Sequence, residues 1–292
     1  HPCPRTLSYC GIFSLAFSST SLAQQILPTQ GTVTAGNGSI EQSGENLSII
    51  QTTTIMSIDW DSFSIGADNQ VTFVQPSSTS TALNRVTGGQ SSSILGKLKA
   101  NGRIFLINPN VILFGSGASV NVGSLLASTL SVSQQGSDYI FEGQSAAGIR
   151  NAGVITAATG GTIALIAAQI ENTGTLIANG GTVALGTGSK VRLNFGGLIS
   201  LEVEQGAIDA LIEQGGVIRA DGGLVYLDAK AVGDLSKTVV NHTGITQART
   251  LATGQNGAIY LMGDMGDGQI NVGGSLEASA PEGMTSQPGH MA

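Results

Sequence analysis

Two aspartates, Asp59 and Asp61, flank Trp60, the single tryptophan of the chain. If this stretch is a β-strand, side chains two residues apart point to the same face, and the two carboxyl groups lie side by side. Paired carboxyl groups can act as general acid and base on glycosidic bonds, and some β-helical enzymes cleave polysaccharides in this way. The alternative is structural, with both aspartates as exposed neighbours of a packed Trp60.

Ligands and nucleophiles for other chemistry are scarce. Beyond residue 23 the sequence contains no cysteine, and its histidines there are His242 and His290. Zinc sites and catalysis by cysteine or histidine therefore lack their usual groups, and we expect His242 to be a loop residue. Asp264 and Asp267 lie among glycines without the other ligands of a calcium loop, so turn aspartates are the favoured interpretation. We predict no catalytic residue, no metal site and no cofactor.

The composition favours a chain of many short strands. Glycine accounts for 42 of the 292 residues, hydrophobic residues for 41% and charged residues for only 11%. β-Branched residues between glycines suit short strands that are joined by tight corners. The formal net charge is −7, and the densest basic cluster consists of Lys97 and Lys99. Nucleic acid is therefore not an expected partner.

Residues 1–23 have the organisation of a signal peptide. Arg5 supplies a positive charge, residues 9–17 form a short apolar core, and Ser21 and Ala23 give the small-x-small pattern of a cleavage site. The apolar run is too short to span a bilayer. A buried N-terminal strand is the alternative interpretation, and we favour export.

A repeat of about 20 residues begins near residue 148. Asn151 and Asn172, which each start an Asn-x-Gly segment, are 21 residues apart, and the glycine pairs 160–161 and 180–181 are 20 apart. A third glycine pair, 222–223, follows 42 residues after the second, which we interpret as two periods. A fixed period of this length with short strands in each unit indicates a solenoid. A barrel or a sandwich would leave the period unexplained.

The predicted fold class is therefore all-β, with stacked coils that pair their strands in parallel and bury alternate side chains. Asparagines at the coil starts are expected to form a ladder of stacked amides. About twelve coils of 20 residues, at ~4.8 Å each, would make a rod of roughly 60 Å. We assign the cap and first coils to residues 24–147, the regular coils to 148–280 and a flexible tail to 281–292, and we expect a monomer.

Residues 59–130 contain seven short segments in a fixed order: DWDSFSIG (59–66), VTFVQP (71–76), ALNRV (82–86), SILG (93–96), ANGRIFLINPN (100–110), VILFG (111–115) and VGSLLASTL (122–130). In order and spacing, these segments resemble the secretion domain of filamentous haemagglutinin-like exoproteins, which bacteria export by two-partner secretion. A match to any one segment would be weak evidence, but seven segments in the same order make the resemblance specific.

The resemblance implies a right-handed parallel β-helix with an N-terminal β cap. It also implies that the POTRA domains of an outer-membrane barrel transporter recognise the domain in the periplasm. The exoprotein is then secreted across both membranes to the cell surface or the medium. The secretion motif of the family carries over to Asn108, Pro109 and Asn110, together with Asn84 and Arg85.

Position 111 departs from the family pattern, because this chain has Val111 where the family usually has glycine. Glycine takes a positive φ readily and valine does not, so the geometry of the turn is left open. Asn108 followed by Pro109 also fits a type I turn. Asn108 could therefore serve export by contacting the transporter or by holding a corner of the helix, and the sequence does not separate these roles.

The expected full-length product is an adhesin that acts in cell attachment or biofilm. Any extracellular glycan or host-cell ligand would bind through regions downstream of this chain. A contact-dependent toxin and a haem-scavenging exoprotein are alternatives, as is a β-helical enzyme that acts on polysaccharides. The resemblance at residues 59–66 favours the structural interpretation of Asp59 and Asp61, and we predict that the domain is not an enzyme.

Overall fold

The chain folds into stacked coils of short β-strands. A computed structural model describes residues 26–194, 200–232, 238–250, 256–263 and 268–279. Within these ranges the regular structure consists of 30 strands, numbered β1 to β30 along the chain, and no helix there is long and apolar enough to cross a membrane. Most strands lie in three sheets, which we call faces 1, 2 and 3, and four form a separate side sheet.

Each face stacks one strand per coil, and neighbours pair in parallel except at the N-terminal end. Face 1 consists of β1 (Thr32–Ala35), β4 (Ile55–Trp60), β6 (Thr81–Val86), β9 (Arg103–Ile107), β12 (Ser124–Ser128), β17 (Thr162–Ala167), β20 (Thr182–Thr187), β25 (Leu224–Ala229) and β28 (Ala258–Gly263). Face 2 consists of β7 (Ser92–Ile94), β10 (Ile112–Phe114), β15 (Gly148–Asn151), β18 (Gln169–Asn172), β23 (Leu211–Gln214), β26 (Thr238–His242) and β29 (Gln269–Val272). Face 3 consists of β2 (Gly38–Ser43), β3 (Asn46–Gln51), β5 (Gln70–Val74), β8 (Lys97–Ala100), β11 (Ser119–Val122), β16 (Val154–Ala157), β19 (Thr175–Ile177), β24 (Val217–Arg219), β27 (Ile245–Gln247) and β30 (Ser275–Glu277). The side sheet consists of β13 (Ser131–Gln135), β14 (Asp138–Glu142), β21 (Lys190–Asn194) and β22 (Ser200–Gln205).

Inward side chains of successive coils stack on one another. On face 1, Ile163, Val183 and Val225 occupy the same register in β17, β20 and β25, and all three are fully buried. On face 3, Leu176 and Ile218 stack in the same way. Each such side chain contributes about 1.5–3 kcal/mol to folding. The all-β parallel β-helix predicted from the period is confirmed.

The glycine pairs let neighbouring coils approach closely at one corner. The first glycine of each pair has a positive φ, for example +66° at Gly180 and +73° at Gly222. The second glycine touches the coil before it, since a Cβ on Gly223 would lie 2.0 Å from the carbonyl oxygen of Gly181. No side chain fits at that distance, which explains why the pair recurs with the coil period.

The interval of 42 residues between the second and third glycine pairs is one coil and not two. β20 pairs directly with β25, so that Thr182 lies opposite Leu224. The extra chain leaves the helix after β20 and forms β21 and β22 before it returns at β23. The interpretation as two periods is therefore wrong. Within the described residues, face 1 has eight parallel strands from β4 to β28, and the rod is roughly 40 Å long at ~4.8 Å per coil.

The side sheet covers part of the outer surface of face 1. Hairpins β13–β14 and β21–β22 join edge to edge in antiparallel fashion. Their inner surface packs on outward side chains of face 1 and forms a second hydrophobic core, which includes Phe105, Leu126, Phe141, Val191 and Val203. The repeat pattern does not predict this layer. Face 1 is apolar on both surfaces beneath it, as β17 shows, with all six residues buried.

The N-terminal end of the core is closed by antiparallel strands. β1 pairs antiparallel with β4, and the hairpin β2–β3 precedes the first parallel pair of face 3. Beneath β1, a Cβ on Gly31 would lie 2.4 Å from Cζ3 of Trp60, so glycine is required there. The Trp60 indole packs edge-on against Phe63 with ring centroids 5.5 Å apart. The predicted N-terminal β cap is confirmed.

A ladder of amides runs through the interior of face 2. Asn151, Asn172 and Gln214 share one register and are fully buried. The Nδ2 of Asn151 donates to Oδ1 of Asn172 at 2.8 Å, and the Nδ2 of Asn172 donates to Oε1 of Gln214 at 2.6 Å. The Nε2 of Gln214 in turn donates to the carbonyl oxygen of Gly216 at 3.0 Å. The predicted ladder therefore exists, and it continues through a glutamine.

Removal of the middle rung of this ladder should destabilise the domain. Asn172→Ala leaves a donor on Asn151 and an acceptor on Gln214 buried without partners, at about 1–3 kcal/mol per group. We expect the free energy of unfolding to fall by roughly 2–4 kcal/mol in urea denaturation. Asn121→Ala, at an exposed strand position, is the matched control and should change it by less than about 0.5 kcal/mol. If Asn172→Ala lowers the free energy of unfolding no more than Asn121→Ala does, the ladder does not stabilise the domain.

Candidate functional site

Asn108 lies at the corner where face 1 ends and the chain turns towards face 2, directly after β9. Its side chain is fully buried. The backbone N–H donates to the carbonyl oxygen of Ser128 in the following coil at 3.0 Å. The Nδ2 group donates to the carbonyl oxygen of Gln90 at 3.0 Å and to Oγ of Ser92 at 2.9 Å, both in the preceding coil. Asn108 therefore connects three successive coils.

The same side chain also closes the corner itself. The Oδ1 atom of Asn108 accepts hydrogen bonds from the backbone N–H of Asn110 at 2.9 Å and from its Nδ2 at 3.2 Å. This is the local geometry in which an asparagine side chain substitutes for a backbone turn. Pro109 stands exposed at the apex, and its carbonyl oxygen accepts from Oγ of Ser145 at 2.7 Å. The corner role proposed for Asn108 thus has a direct structural basis.

Val111 fits this corner without strain. Gln30 and Asp209 are the non-glycine residues with a positive φ in the described part of the chain, so Val111 has an ordinary backbone conformation. Its carbonyl oxygen accepts from the N–H of Ser92 at 2.9 Å. The side chain is 37% exposed. The departure from the family pattern therefore leaves the turn intact and adds an apolar side chain to the surface.

Asn84 points into the helix and is fully buried. Its Oδ1 accepts from Nε1 of Trp60 at 3.0 Å. Its Nδ2 donates to the carbonyl oxygens of Ala82 and Phe105, at 3.2 Å each. All its polar atoms are engaged inside the core, so Asn84 is placed to position Trp60 and not to contact a partner. The sequence signal for this role is a polar residue between two inward apolar residues, Ala82 and Val86.

Arg85 points outward from the same strand. Its Nε donates to Oδ1 of Asp59 at 2.8 Å, and its Nη2 donates to Oγ1 of Thr34 at 3.3 Å. These bonds join β6 to β4 and to the cap strand β1. Arg85 lies opposite Ile107, the residue before Asn108, so the two parts of the motif are on adjacent strands. Its side chain is 44% exposed, and a surface ion pair of this kind contributes at most about 1 kcal/mol.

Of the two carboxylates that flank Trp60, one is held in an ion pair and the other is exposed. Asp59 is bound by Arg85, and Asp61 follows the end of β4 and is exposed. Trp60 between them is buried, as the structural interpretation predicts. Asp264 and Asp267, the predicted signal peptide at residues 1–23 and the predicted tail at 281–292 lie outside the described residues.

A groove borders the Asn108 corner on the outer surface of face 2. It has a volume of about 550 Å³ and runs from Val111 and Leu113 across β15, β18 and β23. Its floor includes the exposed pair of Arg150 and Glu171, whose Nε and Oε2 atoms are 3.3 Å apart. The parts of the corner that a second protein can reach are thus Pro109 and Val111, with this groove beside them.

His242 is not a loop residue, contrary to the expectation from the sequence. It ends β26, fully buried, at the ladder position next to Gln214. Its Nε2 lies 2.8 Å from Oγ1 of Thr246, whereas Nδ1 has no hydrogen-bond partner in the described structure. Burial away from water holds the pKa of His242 below its usual value. Solvent cannot reach the ring, so its influence is on stability.

Residues 24–278 match the family described as the TPS secretion domain, where TPS denotes two-partner secretion. The chain belongs to this family. A curated relative, the heme/hemopexin-binding protein of Haemophilus influenzae strain Rd, is 31% identical in an alignment of 288 residues. The match covers 92% of this chain and 31% of the relative. A second Haemophilus influenzae protein of the same name is 41% identical in an alignment of 110 residues, and this match covers 36% of this chain and 12% of that protein.

Two solved structures share the architecture of this TPS secretion domain. The HMW1 secretion domain from Haemophilus influenzae has a TM-score of 0.72 at 28% identity, with coverage of 86% of this chain and 66% of that one. The filamentous hemagglutinin secretion domain has a TM-score of 0.54 at 15% identity, with coverage of 88% and 100%, and shows the fold alone. The resemblance to filamentous haemagglutinin-like secretion domains is confirmed. The chain is the secretion domain of an exoprotein and spans about a third of the first curated relative.

The hydrogen bonds of Asn108 predict a large loss of stability when its side chain is removed. Asn108→Ala leaves the carbonyl oxygen of Gln90 and the hydroxyl of Ser92 without a donor and opens the corner. We expect a decrease of about 2–3 kcal/mol in the free energy of unfolding, measured in urea. Asn110→Ala removes one peripheral bond and should cost less than about 1 kcal/mol. Similar losses in both variants would contradict the corner role.

Acid should destabilise the domain through His242. An unfolded histidine has a pKa of about 6.5, whereas the folded value is lower, so below about pH 6.5 the unfolded state binds a proton that the folded state excludes. The free energy of unfolding should therefore fall with decreasing pH, by up to roughly 1.4 kcal/mol per pH unit, until the folded pKa is reached.

The variant His242→Gln, which extends the amide ladder, should remove this component. The two proteins are compared by urea denaturation from about pH 7.5 to about pH 5. Burial raises the pKa of Asp228, which contributes with the opposite sign in both proteins, so the difference between the curves isolates His242. Parallel curves for the two proteins would refute the assignment.

Proposed function

We propose that the POTRA domains of a partner outer-membrane barrel transporter recognise this secretion domain in the periplasm and export the exoprotein to the cell surface or the medium. Membership of the TPS secretion domain family over residues 24–278 supports this proposal most directly.

Within the motif we assign different roles to neighbouring residues. Asn108 acts by holding three coils together, and Asn84 acts by positioning Trp60 in the core. The contact with the transporter is made by the exposed part of the corner, Pro109 and Val111. The burial of both asparagines and the exposure of the two apolar side chains support this division.

For the full-length exoprotein we propose an adhesin that acts in cell attachment or biofilm formation, with a glycan or host-cell ligand bound downstream of this chain. A haem-scavenging exoprotein is the second candidate. The observation that favours it is the pair of curated relatives named heme/hemopexin-binding protein. Expression of the full-length exoprotein, with assays for cell attachment and for haem and hemopexin binding, separates the two.

We also propose that the domain itself is not an enzyme. The candidate acid–base pair is engaged otherwise, because Asp59 is bound by Arg85. His242 is buried, with one nitrogen beside Thr246. Glu171, which lines the groove on face 2, is likewise paired, with Arg150.

Export assays should separate the surface of the corner from its interior. In cells that carry the partner transporter, Val111→Asp should reduce export, and the purified variant should bind the transporter's POTRA domains at least about tenfold more weakly at an unchanged melting temperature. Val154→Asp is the matched control, because Val154 is an exposed valine on face 3. Equal export of the two variants would refute the contact at the corner, and export without the transporter would overturn the proposed function.

A further inference from the structure

The two outer strands of the side sheet, β22 and β13, differ in whether their outer edge has a hydrogen-bond partner. At one edge, the backbone N–H of Val203 in β22 donates to Oδ2 of Asp228, a buried carboxylate of β25, at 2.9 Å. This bond ties β22 to the helix. The other edge is β13, whose sequence Ser-Val-Ser-Gln-Gln contains neither a charged residue nor proline. Charges and prolines are the usual protection of an exposed edge, and no strand other than β14 in the described part of the chain pairs with β13, so this edge is open to pairing.

The register of the hairpin β13–β14 shows which backbone groups of β13 are available. The strands are joined by the two residues Gly136 and Ser137, and Gly136 has a φ of +64°. In such a hairpin the residues that flank the turn form a hydrogen-bonded pair, and hydrogen-bonded pairs alternate with non-bonded ones. Val132 and Gln134 fall at the non-bonded positions, so their N–H and C=O groups point away from β14.

An apolar floor lies beside this free edge. The side sheet leaves the N-terminal part of face 1 uncovered, and there Ile55 is 55% exposed and Leu83 is half-buried. With Phe105 and Tyr139, whose rings pack edge-on at 5.1 Å, these residues line a groove next to β13. The groove has a volume of about 100 Å³, well below the several hundred Å³ typical of small-molecule sites. It is suited to single apolar side chains.

We propose that β13 is a docking edge at which the periplasmic part of the transporter adds an extended strand to the side sheet. This inference rests on the proposed function. The added strand pairs with the backbone of Val132 and Gln134 and places alternate apolar side chains on Ile55 and Leu83. The lining residues of the groove carry no formal charge, so the fitting strand is uncharged in its centre.

A second copy of this chain does not fit the same edge. Antiparallel pairing of two β13 strands about a two-fold axis would place both helices on the same surface of one continuous sheet. Each helix extends past its own β13 by β6, β4 and β1. The two helices would then occupy the same space. A strand from a partner whose bulk lies above the side sheet avoids this overlap.

A substitution at Gln134 tests the backbone contact. Gln134→Pro removes an outward N–H that an edge strand can lose without breaking its own sheet. We expect it to weaken binding to the purified periplasmic domains of the transporter by roughly fivefold to tenfold, with a melting temperature close to that of Gln134→Ala. Gln134→Ala keeps the amide and should bind at least about threefold more tightly than Gln134→Pro. Equal affinities of the two variants would overturn the docking edge.

Hydrogen exchange on the unmodified domain gives a second test that does not depend on the folding of a variant. The amides of Val132 and Gln134 should exchange rapidly in the free domain and become protected when the periplasmic domains are added. The amide of Ser133, which faces β14, should be protected in both states and serves as the internal control. If the wild-type domain does not bind the periplasmic domains, the proposed function and the docking edge both fail. Binding without protection of Val132 and Gln134 would overturn the docking edge alone.

Discussion

The spacing between stacked coils is the constraint on which the rest of the structure depends. Parallel strands lie ~4.8 Å apart, and every coil must meet its neighbours at that distance along all three faces. Polar groups that are buried at the corners find their partners within the same turn or in the coil before or after. Asn108 meets this requirement with its side chain, which donates to Gln90, and its backbone N–H, which donates to Ser128, and Asn172 meets it with a side chain bonded to Asn151 and to Gln214.

The same constraint explains which features the sequence reveals. A coil of constant length returns the same residue type to the same register, so the period alone predicts the parallel β-helix, the glycine corners and the amide ladder. The coil period does not predict the side sheet, because β21 and β22 leave the helix. The interval between two glycine pairs is the same whether the extra residues form strands outside the helix or a second coil. The expectation of a loop at His242 failed because its neighbours in sequence are typical of a loop, whereas its position is decided by pairing with β23.

The candidate site was only partly predictable for a related reason. The residues of the motif were found in the sequence, but their partners were not, because Gln90, Ser92 and Ser128 are 16 to 20 residues away and belong to other coils. Those partners show that the conspicuous asparagines, Asn84 and Asn108, are interior residues. The accessible surface lies instead on less conspicuous neighbours, and a defect in export after substitution of an interior asparagine therefore has to be separated from a defect in folding.

Asn108 stabilises the domain, on this account, through its bonds to the neighbouring coils. A double-mutant cycle with Asn108→Ala, Ser92→Ala and the combined variant, followed by urea denaturation, tests this central claim most directly. We predict a coupling energy of about 1 kcal/mol or more between the two positions, because the Nδ2 group of Asn108 donates to Oγ of Ser92 at 2.9 Å. Additive losses, within about 0.3–0.5 kcal/mol, would contradict it.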